Sequence, residues 1–162
     1  MEIQALEHPP VVTRATGRRD RLRVGGQLGY RCRMAPLIIA HRGDSAHFPE
    51  NTLAAFRSAL NLQADLVEFD VQCTKDGQVV VIHDASVDRT TNGRGRVRDM
   101  TVAEVQALSA GYPLRFGNAF AAERIPTLGE ALETLKGRGR PMIEIKSDSS
   151  RNESTMLKRV KP

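Results

Sequence analysis

An α/β fold built on parallel strands is predicted by three features of the sequence. Short apolar runs of strand length recur, at 37–40, 64–71, 78–82 and 141–146. Between the first two, and before the last, lie segments whose apolar residues are spaced three and four apart, as on one face of a helix. Each run also ends on or carries titratable side chains: His41-Arg42, Glu68 with Asp70, His83-Asp84, and Glu144 with Lys146. In α/β folds, ligands bind at the C-terminal ends of the strands.

Leu37 to Ala40 is a continuous apolar run, as expected of a strand buried on both faces. His41-Arg42 follows, and Gly43 permits a sharp turn. Asn51 or Thr52 can cap a helix reaching about Leu62, with Leu53, Phe56, Ala59 and Leu60 on its inner face. In 64–71 the period of two puts Glu68 and Asp70 on one side of a strand and Val67, Phe69 and Val71 on the other. Lys75-Asp76-Gly77 reads as a turn into a third strand, Gln78 to Ile82. Residues 85–124 break the rhythm, as an excursion between sheet elements. Thr101 begins a helix there, with Glu104 at the capping-box position and Val102, Val105 and Leu108 on one face. Thr127 and Glu130 repeat that signal before a helix with Leu128, Ala131, Leu132 and Leu135 on its buried side, which Gly137 and Gly139 end. The fourth strand, 141–146, carries Glu144 and Lys146 on one side and Ile143 and Ile145 on the other.

The two ends differ from this middle. Residues 1–33 contain seven arginines (Arg14, Arg18, Arg19, Arg21, Arg23, Arg31 and Arg33) and read as a disordered basic extension. Met34, directly before the first strand, reads as a natural start of translation. The domain is expected over 34–147, and 148–162 reads as a disordered or truncated polar tail. The formal charge of +5 belongs mainly to the ends, so nucleic acid is not an expected partner of the folded part. Cys32 and Cys73 lack metal-ligand spacing and suggest a reducing compartment. No apolar run has the length of a membrane span, and no secretory core stands near Met1, so a cytoplasmic protein is expected.

The chemistry follows from the residue types. Glu68, Asp70 and Glu144 make an oxygen-only set suited to Mg²⁺ or Ca²⁺ rather than Zn²⁺. His41 and His83 can act as an acid/base pair. Arg42 and Lys146 can clamp an anion, and Arg is a bidentate partner for phosphate. Together these point to hydrolysis of a phosphate ester.

His41-Arg42-Gly43 with Pro49-Glu50-Asn51-Thr52, Glu68-Phe69-Asp70-Val71, Val81-Ile82-His83-Asp84 and Ile143-Glu144-Ile145-Lys146 resemble the glycerophosphodiester phosphodiesterase family. Asp88 to Gly93 and Ile125 to Leu128 resemble the flanks of that family's insertion after the third strand. The resemblance implies a TIM barrel that hydrolyses glycerophosphodiesters to sn-glycerol 3-phosphate and an alcohol. It implies that the substrate's own glycerol hydroxyl attacks first and that water then opens a cyclic phosphate. By position it implies metal ligands Glu68, Asp70 and Glu144, acid/base residues His41 and His83, phosphate contacts Arg42 and Lys146, and a metal or substrate contact for Glu50. Asn51 reads instead as a helix cap, Asp84 as a group that orients His83 or the loop, His47 as bystander and Cys73 as packing.

A TIM barrel takes eight strand–helix units in about 250 residues. About four parallel strands are expected here, so the barrel is incomplete, with activity reduced or lost and self-association through open edges. Two alternatives stand beside this reading. One is a related phospholipase D of the sphingomyelinase type; the other is an inactive fragment that binds anions or nucleic acid through its Arg-rich N-terminal segment.

Overall fold

The computed structural model describes residues 36–146 in full and the backbone of residues 19–24 and 27–32. In chain order the elements are β1 (Arg19–Val24), β2 (Gln27–Cys32), β3 (Ile39–His41), α1 (Leu53–Asn61), β4 (Leu66–Cys73), β5 (Val79–Val81), α2 (Val102–Ala107), α3 (Pro113–Phe116), α4 (Leu128–Leu135) and β6 (Arg140–Ile145).

β4 is the axis of a four-stranded sheet. β6 pairs with it in parallel from Leu66 to Val71, and β3 pairs in parallel with Leu66 to Glu68. β5 pairs with Val71 to Cys73, but antiparallel. Since β6 already holds one flank through Val71, β3 and β5 lie end to end along the other. The frame of the sheet is parallel and open, as expected, but the third strand runs against the rest. The reason is length: only residues 74–78 separate β4 from β5, whereas a parallel return takes a dozen or more. Thr74 closes this turn, donating to Asp76 Oδ1 and accepting from the Gln78 N–H.

One face of β4 carries Val67, Phe69 and Val71, all fully buried against α1 and α4. Phe56 of α1 meets Phe69 with ring centroids 5.2 Å apart. β5 alternates: Val79 and Val81 join this core, while Val80 and Ile82 form a second one with Val87, Val97, Val105, Ala110 and Ile125. The excursion at 85–124 is thereby fastened to the sheet's far side. Two expectations fail on exposure. Ile38 is 58 % exposed, because β3 occupies an edge and is not covered on both faces. Leu132 is 39 % exposed, since α4 turns only Leu128, Ala131 and Leu135 fully inward.

The helix starts follow the capping signals. Thr52, not Asn51, caps α1, accepting from the Ala55 N–H, and Thr101 and Thr127 each form a full capping box. Thr127→Ala should cost about 1 kcal/mol, a fall of about 4 °C in melting temperature for a domain of this size. An unchanged melting curve would refute the cap's contribution.

β1 and β2 form a separate antiparallel ribbon, with Val24 opposite Gln27. They lie within the stretch expected to be disordered. A signal for them was present: Gly25-Gly26 separates two runs of strand-like alternation, and Gly-Gly is a preferred two-residue hairpin pair. The rest of 1–33, Met34, and the tail from 147 lie outside the described residues.

Candidate functional site

The polar face of β4 and the strand ends beside it make the site. Register does most of the placing. Asp70 is directly opposite Glu144 of β6, and Glu68 is opposite His41 of β3. Period-two alternation turns Glu68 and Asp70 away from Phe69 and toward the same side. One oxygen of each of Glu68, Asp70 and Glu144 lies within 4.8 Å of the others. Glu68 and Asp70 are buried, and Glu144 is exposed at the rim.

Three carboxylates so close repel one another unless cations intervene. Asp70 is the best compensated. Its Oδ2 accepts from Asn51 Nδ2 at 2.9 Å and lies 3.3 Å from Arg42 Nε, and Lys146 Nζ is 3.1 Å from its Oδ1. Burial alone would raise its pKa; Asn51, Lys146 and Arg42 outweigh that and hold it below the usual range. Glu68 goes the other way. Burial pushes it up, as do the charges of Asp70 and Glu144, against the Arg42 backbone N–H that donates to Oε2 at 2.9 Å. Lys146 is raised because Glu144 and Asp70 outweigh its burial.

A divalent cation fits this donor set. Asp70 Oδ1 is buried and, apart from its ion pair with Lys146, has no hydrogen-bond partner, so it keeps acceptor capacity for a cation. All three donors are hard oxygens.

Arg42 reaches the site by an unusual backbone. Its φ is +58°, a left-handed conformation rare outside glycine, which aims the N–H at Glu68 and the guanidinium between Asp70 and Glu50. His41 Nε2 lies 3.8 Å from Glu68 Oε2. Burial and the adjacent Arg42 charge lower its pKa, which keeps the ring neutral over more of the pH range.

β5 brings the second histidine back beside the first. Because it runs antiparallel, its exit returns toward Asp70: the Ile82 N–H donates to the Asp70 carbonyl at 3.0 Å. His83 Nδ1 then sits 2.6 Å from Asp84 Oδ1, so Asp84 orients the ring as expected. Gln72 Nε2 donates to the His83 carbonyl at 2.9 Å.

Glu50 lies between two arginines. Arg42 Nη1 donates to its Oε1 at 2.9 Å, and Arg89 Nη1 and Nη2 donate to its two oxygens at 2.9 and 2.8 Å. Burial would raise Glu50; the hydrogen bonds and charge of Arg89, with Arg42, hold it low. It is a clamp between arginines rather than part of the carboxylate cluster. Asn51 is likewise not a cap: it is buried at φ +60° and bonds Asp70 twice, through Oδ2 and the backbone N–H. Neither Arg89 nor Tyr112, which contacts it, was predicted. His47 is exposed and, among the described residues, pairs with Asp44, and Cys73 packs in the core. The side chains of the Arg-rich segment lie outside the described residues.

Asp84 gives a pH test. Hydrogen bonds from Arg89 outweigh its burial and, with His83, lower its pKa to about 2. A depressed folded-state pKa contributes stability above the unfolded value that disappears as pH falls through the folded one. Asp84→Asn should therefore be less stable than wild type at pH 5–7, and thermal midpoints of the two should converge between about pH 4 and pH 2. A constant difference across that window would contradict the assignment.

The sequence model of the glycerophosphoryl diester phosphodiesterase family matches residues 41–161, beyond the boundary expected at 147. A glycerophosphodiester phosphodiesterase of Caldanaerobacter subterraneus is 56 % identical over 115 residues, 70 % of this chain and 46 % of the relative. A glycerophosphodiester phosphodiesterase structure from Agrobacterium tumefaciens superposes with a TM-score of 0.64 at 43 % identity, covering 67 % of this chain and 46 % of that one. An Oleispira antarctica phosphodiesterase, solved with the product sn-glycerol-3-phosphate, gives 0.64 at 40 % identity, covering 68 % and 44 %. The chain thus spans under half the length of these relatives, and its open sheet is part of a TIM barrel. Among the described residues no helix is long and apolar enough to cross a membrane.

Proposed function

Since the chain belongs to the glycerophosphoryl diester phosphodiesterase family, we propose that its site performs metal-dependent cleavage of a glycerophosphodiester into sn-glycerol 3-phosphate and an alcohol. The observation that carries this is the convergence of Glu68, Asp70 and Glu144 within 4.8 Å, flanked by Arg42 and Lys146. A divalent ion such as Mg²⁺ or Ca²⁺ held there supplies positive charge against the phosphoryl oxygens. Arg42 and Lys146 lie beside the same carboxylates and hold the phosphate's remaining oxygens. His41, kept neutral by burial and by Arg42, takes the proton of the attacking hydroxyl. His83, with Nδ1 turned to Asp84, presents Nε2, and in its imidazolium form gives the Nε2 proton to the leaving alcohol, which returns the ring to the neutral form protonated at Nδ1. The two exchange these duties when water opens the cyclic phosphate.

The test is release of glycerol 3-phosphate from glycerophosphocholine by the purified chain, with Mg²⁺ or Ca²⁺ and with EDTA. Turnover should need the metal and should fall at least about 100-fold in His83→Ala. Turnover that persists in EDTA, or a folded chain with none in either metal, would overturn the proposal.

A further inference from the structure

We propose that Arg89, supplied by the excursion at 85–124, is a positioning residue that holds His83 and Arg42 in one register for the reaction. The inference rests on the proposed function and adds a residue to it.

Arg89 is engaged on every side of its guanidinium. Nε and Nη2 donate to the two oxygens of Asp84 at 2.7 and 3.1 Å, and Nη1 and Nη2 donate to the two oxygens of Glu50 at 2.9 and 2.8 Å. Nη1 also meets the Tyr112 hydroxyl at 3.4 Å, and the guanidinium carbon lies 5.5 Å from that ring's centroid. Each carboxylate passes the constraint on. Asp84 Oδ1 meets His83 Nδ1, and Glu50 Oε1 accepts from Arg42 Nη1. A continuous path, His83–Asp84–Arg89–Glu50–Arg42, thus joins the exit of β5 to the exit of β3. A forked, planar cation is needed at its centre, because two carboxylates must each be met in plane. Lysine offers the charge without the fork.

The consequence at His83 is chemical. An ionised Asp84 fixed by Arg89 can only accept, so the proton of neutral His83 resides on Nδ1 and Nε2 is left open. Freed from Arg89, the Asp84 carboxylate can rotate away and the other tautomer becomes populated.

Long-range ¹⁵N–¹H spectra of the full chain read that tautomer directly, without substrate, so a chain that does not hydrolyse the diester still answers. Wild type should show His83 protonated at Nδ1. Arg89→Ala and Arg89→Lys should each show a mixture of tautomers. Where wild type turns over, kcat should fall about 10- to 100-fold with a smaller change in KM, and added guanidinium should restore part of it in Arg89→Ala. Arg89→Lys keeps the question open to test if the alanine variant does not fold. An unchanged His83 tautomer in a folded variant, or kcat within twofold of wild type, overturns the proposal. Absence of turnover in wild type, with the tautomer shift present, instead counts against the proposed function alone.

Discussion

Asp70→Ala should be among the most damaging single changes, in stability and in metal response together. Asp70 is fully buried and meets Asn51, Arg42 and Lys146 at once. Removing one partner of a buried ion pair typically costs about 3–5 kcal/mol, because the other charge stays behind. Relief of repulsion with Glu68 and Glu144 offsets part of this, so a net loss of about 3 kcal/mol is expected. The second effect separates a metal ligand from a structural anion. At roughly 100 times its Kd, a divalent ion stabilises a protein by about 2.7 kcal/mol. Wild type should gain that stability, seen as a rise in thermal midpoint, on adding Mg²⁺ or Ca²⁺, and Asp70→Ala should show no rise. Equal increments in both proteins would remove Asp70 from the ligand set.

Gly43→Ala should cost roughly 3 kcal/mol, by two independent routes. Its φ is +80°, where a side chain is strained. A Cβ there would also lie 2.8 Å from both the backbone carbon and the Cβ of Ala55. The obstacle is helix α1 itself, which cannot yield as a flexible side-chain tip can. Gly117 is the internal control: its φ is +57°, but a Cβ would meet nothing within 4 Å. Gly117→Ala should therefore cost about 1 kcal/mol. Urea unfolding of both variants measures the difference, and equal losses would show that the approach to Ala55 does not matter. Because Arg42 precedes Gly43 in the same left-handed turn, Gly43→Ala should also disturb the Arg42 contacts to Glu68 and Asp70.

Much of this was legible in the sequence where a local rule acts alone. Period two in 64–71 placed Glu68 and Asp70 opposite Phe69, and the two Thr-x-x-Glu boxes marked α2 and α4. What escaped was set by the length of one connection and by partners distant in the chain. The antiparallel direction of β5 was decided by a five-residue connection, 74–78, which was read only as a turn. Asn51 and Thr52 are equally good caps by residue type. Asn51 was diverted because its left-handed backbone turns the side chain onto Asp70, 19 positions away. Glu50 drew notice as an acid in a family motif, but nothing near it in the chain announced its pairing with Arg89, 39 positions on. Arg89 itself sits in a loop without periodicity. Two hints were available: a loop holding Asp88-Arg89 follows closely on His83-Asp84, and Asp88 to Gly93 resembles a flank of the family's insertion. The exposure of Ile38 and Leu132 reflects the edge of an open sheet and the small angular width of α4's covered face, neither of which a single apolar pattern states.

The central claim is that Glu68, Asp70 and Glu144 form one divalent-cation site, and a calorimetric titration tests it most directly. Mg²⁺ and Ca²⁺ would be titrated into wild type, Glu68→Ala and Glu144→Ala. The account predicts one ion per wild-type chain and a loss of at least about 100-fold in affinity in either variant. Binding that survives both substitutions, or no binding by a folded wild-type chain, would contradict it.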